Sequence, residues 1–345
     1  MKDESLNTPL VPLLGMTLEQ LKEAVTGLKM PAFTAKQLAQ WIYEKGAKEI
    51  DDITNLSKKN RELLQSVYTI GAVAPISADS SEDGTIKYLF SVGDGKVIES
   101  VYIPTDDRAT LCISSQVGCK MGCEFCMTGK LGFNGNLTSG QIINQLISIP
   151  EFDKITNIVF MGMGEPLDNL AEVKRTIEIM TSDWGLAWSP KRITVSTIGK
   201  LKELQDIVET TKVHIAVSVH NAIGAERAKL MPSERAFPIK SVFQLLKDYD
   251  FFHQRRLSIE YIMWDGVNDT MAHADELVKL ISGEKVRVNL IRFHAIPNVD
   301  LTSATEAVMV KFRDYLNSRG VISTIRRSRG EDIMAACGML AGKKG

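Results

Sequence analysis

From Leu111 onward the chain alternates strand-like and helix-like segments without a break, and this alternation limits the fold more than any other feature. LCISS leads to SGQIINQLISI, NIVFMGM to AEVKRTIEIM, and RITVSTI to KLKELQDIV. HIAVSVH leads to a longer helical region ending near QLLKDY, LSIEYIM to MAHADELVKLI, and RVNLIRF to EAVMVKFRDYLNSR. VISTIRR follows as a last strand. Each first member is short and β-branched, and each second carries apolar residues at helical spacing. Strands joined through helices lie parallel with right-handed crossovers, so the class is α/β. No GxGxxG follows the first strand, which argues against a dinucleotide-binding sheet. An open barrel of six βα units, a partial (β/α)6 barrel, fits best, and its reactive groups belong at the C-terminal ends of the strands.

Upstream, residues 17–68 read as three helices, LEQLKEAVTGL, TAKQLAQWIYEKG and LSKKNRELLQSVY. Thr17 is placed to cap the first, with Gln20 completing a capping box. IKYLFSV and KVIESVYI flank Gly93-Asp94-Gly95 as a β-hairpin. The expected organisation is a small helical accessory domain over 1–75, a hairpin extension and linker over 76–108, and the barrel with a C-terminal cysteine segment over 109–345. No apolar run reaches the roughly 18 residues of a membrane span. The first residues, MKDESLNTPLVPLLGM, carry acids early and lack a signal-peptide core, so a cytoplasmic location without a membrane partner is expected. The net charge of −1 gives little support for a nucleic-acid partner. Short basic clusters (Lys58, Lys59 and Arg61; Lys191 and Arg192; Arg255 and Arg256; Arg326, Arg327 and Arg329) read individually as solvated faces.

The five cysteines are Cys112, Cys119, Cys123, Cys126 and Cys337. An odd number, four of them crowded together, points to metal or redox chemistry rather than a disulfide scaffold. Cys119, Cys123 and Cys126 form CxxxCxxC in the loop after the first barrel strand. Three thiolates can hold three irons of a cubane cluster and leave the fourth open to a small molecule, whereas electron-carrier clusters use four cysteines. A structural zinc site wants four ligands. Here there is one CxxC, no histidine nearby in sequence, and in Cys112 a fourth candidate that lies on the strand itself.

Other strand ends carry polar groups. Gly164 and Glu165 follow the second strand, Ser196 ends the third, and Ser218, Val219 and His220 end the fourth. Alone, each is an ordinary loop acid, turn residue or helix cap; together they outline one pocket. His294 follows the sixth strand, where a hydrogen-bonded loop residue is the plain reading. Cys337 sits between alanines and a glycine, which leave its sulfur room, although a lone cysteine is usually a small buried hydrophobe. Glu99, on a hairpin strand, reads from its position alone as a solvated acid.

CxxxCxxC with Phe125 before its last cysteine resembles the signature of the radical S-adenosylmethionine superfamily. From about Ile98 to Leu340 the chain resembles more closely the RlmN/Cfr family of RNA methyltransferases, through IESVYIP, DDRATLCISSQVGC, CEFC, FMGMGEPLDN, KRITVSTIG, VSVH, NDTMAHA, VNLIRF and RGEDIMAACG. The resemblance implies a radical-SAM barrel with a small N-terminal helical domain. It implies a 4Fe-4S cluster on Cys119, Cys123 and Cys126, with the fourth iron binding S-adenosylmethionine, two molecules of which are used per turnover. The cofactor contacts it implies are Gly164, Glu165 (for the ammonium), Ser196, Ser218, Val219, His220 and His294.

By the same resemblance, Cys337 takes a methyl group by polar transfer, and a 5′-deoxyadenosyl radical removes hydrogen from it. The carbon radical then adds to C2 of an adenine, a position unsuited to direct displacement. Cys112 resolves the adduct through a transient disulfide with Cys337, and Glu99 accepts the adenine proton. Implied partners are 23S ribosomal RNA, for some members a transfer RNA, and a low-potential electron donor such as flavodoxin or ferredoxin, the enzyme acting as a monomer. His294 stands where the family has asparagine, Met334 where it has an acid and Met339 where it has glutamine. C8 methylation, as in Cfr-type members, is the nearest alternative. A radical enzyme acting on another substrate and a non-catalytic cluster or zinc RNA-binding module are the more distant ones.

Overall fold

A computed structural model describes residues 9–251, 253 and 255–341, so the first half of the N-terminal stretch, with both of its acids, lies outside the described residues. Two compact units are present: residues up to 74 with 138–152 and 175–188 form one, and 75–137, 153–174 and 189 onward form the other.

In the first unit, Leu18–Gly27 begins with the expected capping box: Thr17 Oγ1 accepts from the Gln20 amide at 3.3 Å and Gln20 Oε1 from the Thr17 amide at 2.9 Å. The second helix, Thr34–Ala39, runs into a π-helical turn at Gln40–Glu44 that buries Ile42 and Tyr43. The third, Lys58–Gln65, starts on Ser57. Val11–Pro12 pairs in parallel with Tyr68–Thr69. Ser139–Ile147 repeats the capping-box chemistry with Thr138 and Gln141. It packs so closely on Leu14 and Gly15 that a Cβ on Gly140 would come within 2.4 Å of the Leu14 carbonyl oxygen.

The second unit is built on a ten-stranded sheet whose spatial order follows the chain. Its strands are β1 (Ser77–Ser80), β2 (Ile86–Ser91), β3 (Val97–Thr105), β4 (Arg108–Cys112), β5 (Asn157–Phe160), β6 (Ile193–Thr197), β7 (His214–Ser218), β8 (Leu257–Met263), β9 (Val286–Arg292) and β10 (Ile322–Ile325). Strands β4 to β10 are parallel, and β1 to β4 form an antiparallel meander. The expected open barrel is present, with the last strand added as a parallel member on β9. The hairpin around Gly93-Asp94-Gly95 is also present, and it is continuous with the barrel because β3 pairs with β4.

Two details differ from the sequence reading. The first barrel strand starts at Arg108 and ends at Cys112, earlier than LCISS suggests. The polar segment SADS forms an edge strand, because such a strand needs main-chain hydrogen bonds on one side only. Central strands bury a continuous apolar face: Ile215, Val217, Ile259, Tyr261, Val288 and Leu290 are all inaccessible, as a sheet covered by helices requires. No helix among the described residues is long and apolar enough to cross a membrane.

Candidate active site

A cleft enclosing about 830 Å³, open solvent at its mouth included, lies at the C-terminal ends of the parallel strands. Cys119, Cys123, Cys126 and Cys337 all line it, together with Gly164, Glu165, Ser196, Ser218 and His220. Residues scattered over more than 200 positions of sequence therefore meet in one place because each lies at the C-terminal end of a parallel strand or in the segment that follows one.

The cysteine loop leaves β4 through a two-stranded ribbon, Gln116–Gly118 with Phe133–Asn136. Gly118 is required there: its φ is +73°, and a Cβ would overlap the Gly132 carbonyl oxygen at 1.7 Å. Phe125 anchors the loop in an apolar cluster, with ring centroids 4.9 Å from His220 and 5.0 Å from Trp264. Desolvation pushes the Cys119 thiol up to about 12 and raises Cys123 and Cys126 as well, and the three oppose one another's charge. Such a trio needs cationic compensation to ionise. No three His, Cys, Asp or Glu side chains among the described residues are grouped to hold a single metal ion. A polynuclear cluster takes one thiolate per iron.

Glu165 is held rigidly. Its Oε1 accepts from Thr197 Oγ1 at 2.6 Å and the Leu167 amide at 3.1 Å, and its Oε2 from the Ile198 amide at 3.0 Å. Burial pushes its carboxyl up to about 7 despite these donors, so a bound ammonium would return it to the carboxylate. Gly164, at φ +99°, lets the turn pass Gln116, where a Cβ would lie 2.5 Å from the Gln116 side chain.

His220 adopts φ +55° and accepts from the Ile262 amide through Nδ1 at 3.0 Å. Burial, and then Arg227, lower its pKa to about 3, so the ring is neutral and Nε2 carries the hydrogen. Val219 is fully buried, with its amide on the Glu260 carbonyl at 3.1 Å, and is not in the cleft wall. His294 also lies outside the wall, with Nδ1 3.2 Å from Glu331 Oε1.

Cys112 ends β4 behind the wall, 8% exposed. Desolvation and the charge of Cys337 push its thiol up to about 12, against a hydrogen bond from the Met161 backbone and the charge of Arg326. Cys337 is exposed to the cleft, not buried as a lone cysteine usually is; its surroundings still raise its pKa through desolvation, against Arg326. Glu99 is 2% exposed. The solvated reading of this acid is corrected, because the C-terminal segment covers its strand and the Ala341 amide donates to Glu99 Oε2 at 2.7 Å.

Several contributors had no local signal. Arg227, fully buried, holds the carbonyls of Ser218 and Val219 at 2.8 and 2.9 Å and pairs with Glu234. Asn268 fixes the same turn through the carbonyls of His220 and Ile262 and the Trp264 amide; the resemblance of NDTMAHA was the only pointer to it. Glu260 lines the cleft with Oε1 on Asn289 at 2.8 Å and Oε2 3.8 Å from Arg326 Nε. Some basic clusters are structural: Arg192 donates to the carbonyls of Ile155 and Thr156, and Arg255 to that of Val208.

Residues 11–70 match the family model described as ribosomal RNA large subunit methyltransferase N-terminal domain, and residues 113–281 match the radical SAM superfamily. The chain is 57% identical to a probable dual-specificity RNA methyltransferase RlmN of Bacteroides fragilis, over 97% of this chain and 98% of that one. It is 40% identical to the dual-specificity RNA methyltransferase RlmN of Geotalea uraniireducens, over 96% and 97%. A crystal structure of a radical SAM methyltransferase from Sphaerobacter thermophilus, 36% identical, superposes with a TM-score of 0.92 over 97% of this chain and all of that one. Barrel, cysteine loop and relatives agree: this chain belongs to the RlmN family of radical S-adenosylmethionine RNA methyltransferases.

Proposed function

We propose that the enzyme methylates C2 of an adenosine in 23S ribosomal RNA and in transfer RNA, with Cys337 as the methyl carrier. The observation that supports this most strongly is the presence of Cys337 in the same cleft as the three cysteines of the CxxxCxxC loop. The dual-specificity name of the relatives fits two RNA substrates.

In this reading Cys119, Cys123 and Cys126 hold three irons of a 4Fe-4S cluster. The bound cluster supplies the electron that cleaves S-adenosylmethionine. Gly164 and Glu165 orient the amino-acid end of the cofactor, Ser196, Ser218 and His220 bound the rest of its pocket, and Val219 acts through the turn that it shares with Ser218 and His220. Cys337 accepts a methyl group on sulfur and presents it inside the cleft. Glu99 takes the adenine proton. Cys112, desolvated behind the wall, attacks the Cys337 sulfur and releases the product as the disulfide forms. His294 is proposed to act through Glu331 on the segment that carries Cys337, given their 3.2 Å contact. The helical unit, the hairpin and the barrel are proposed as separate functional parts, divided near residues 75 and 108. A low-potential donor such as flavodoxin or ferredoxin, a monomeric state and a cytoplasmic site of action complete the proposal.

Anaerobic turnover with unmodified 23S and transfer RNA, followed by nucleoside mass spectrometry, tests the assignment. The expected product is 2-methyladenosine in both RNAs. Finding 8-methyladenosine instead would move the enzyme to the C8 type.

A further inference from the structure

The segment carrying Cys337 is tied at two points to one buried ion pair. Lys87 on β2 stands opposite Val101, and Glu99 on β3 stands opposite Leu89. The two residues are therefore diagonal neighbours on one face of the meander. Lys87 Nζ lies 3.6 Å from Glu99 Oε1, with the residues 6% and 2% exposed. Asp79 adds a second carboxylate 3.8 Å from the ammonium.

Each partner also reaches the C-terminal segment. Lys87 Nζ donates to the Ile333 carbonyl at 2.7 Å, and Glu99 Oε2 accepts from the Ala341 amide at 2.7 Å. Ile333 comes four residues before Cys337, and Ala341 four residues after it. The cysteine thus rides on a short loop whose two feet rest on opposite ends of one ion pair. Buried charges of this kind are tolerated when their remaining hydrogen-bonding capacity is met, and here the loop's backbone helps to meet it.

We propose that Lys87 is a positioning residue for methyl transfer. It docks the Cys337 loop in the cleft and, through the same contacts, orients the Glu99 carboxylate. Docking of the carrier and orientation of the proton acceptor are then one event. This rests on the reading of Cys337 as carrier and Glu99 as acceptor.

Hydrogen exchange on the cluster-loaded protein, read by mass spectrometry, tests the clasp. In Lys87→Met, peptides spanning residues 330–341 should exchange about tenfold faster or more, the effect of losing one charge-assisted hydrogen bond in a local opening. Peptides from β7 should keep their protection, which reports an intact fold. Glu99→Gln removes the charge from the other side and should loosen the same peptides, and Lys87→Arg should restore most of the protection. In turnover, Lys87→Met should still form 5′-deoxyadenosine, with methylated adenosine per 5′-deoxyadenosine falling about tenfold.

Unchanged exchange over 330–341 in both Lys87→Met and Glu99→Gln overturns the clasp and leaves the carrier assignment standing. A loosened loop with undiminished methylation overturns the positioning role. If Cys337→Ala retains methylation, the carrier reading fails while the exchange result still decides the clasp.

Discussion

The two cysteine-bearing segments of the cleft share one apolar cluster but differ in how much they lean on polar contacts. The CxxxCxxC loop is fixed by apolar packing: Phe125 sits among His220, Trp264, Ile198, Met231 and Ile262. The Cys337 segment adds Ala336 and Met339 to the same apolar cluster, and it is tied at both ends by polar contacts. Asp83 Oδ2 accepts from the Gly330 amide at 3.1 Å, Ser81 Oγ donates to Asp332 at 2.6 Å, and Lys87 and Glu99 hold Ile333 and Ala341. Thr128 Oγ1 and the Met127 amide reach the carbonyls of Leu340 and Gly338, both at 2.8 Å, and join the two segments. Apolar packing gives a single rigid arrangement. Exposed hydrogen bonds, such as that of Ser81 to Asp332, open locally at small cost. A ligand set needs the first, and a carrier that must meet a cofactor and then a nucleic-acid base is served by the second.

The largest expected effect separates the two segments at once. Cys123→Ala should abolish both the iron–sulfur absorption and 5′-deoxyadenosine formation. Cys337→Ala should keep both and lose methylated RNA altogether; methylation surviving in that variant would erase the distinction. Cys112→Ala should stall after carbon–carbon bond formation and leave a covalent protein–RNA adduct on a denaturing gel. Absence of that adduct under turnover conditions would remove Cys112 from the resolving role.

Packing variants sharpen the contrast. Phe125→Ala should cost about 3–5 kcal/mol of unfolding free energy, as deletion of a core aromatic does. Asp332→Ala, at an exposed contact, should cost far less. Similar losses for the two would mean that the segments are held alike.

The last effect is on pH dependence. His220 has a folded pKa of about 3 against 6.5 for the free side chain. Between these values the unfolded chain binds a proton that the folded chain does not, so stability is full above pH 6.5 and falls as the pH drops toward 3. The slope from this group is at most about 1.4 kcal/mol per pH unit, and His220→Gln should flatten it in denaturant titrations between those limits.

The barrel was legible because each strand is short, β-branched and followed by an apolar-striped helix, and because central parallel strands such as HIAVS admit few polar residues. The caps at Thr17 and Thr138 are likewise local chemistry. The edge strand SADS was not legible, since backbone pairing and not side chains makes it a strand. The CxxxCxxC cysteines announced themselves by spacing, and Cys337 and Glu99 only through family resemblance. Lys87, Arg227 and Glu260 gave no signal, because each has an unremarkable local context and its partners are set by the folded sheet and turns, and Asn268 was marked only by the resemblance of NDTMAHA.

The central claim is that Cys337 carries the methyl group inside the cleft it shares with the cluster cysteines. Peptide mass spectrometry of the enzyme, isolated anaerobically after incubation with methyl-labelled S-adenosylmethionine and no RNA, tests it directly. The account predicts one labelled methyl group on Cys337 and none on Cys112. An unmodified Cys337 in a preparation that goes on to methylate RNA would contradict it.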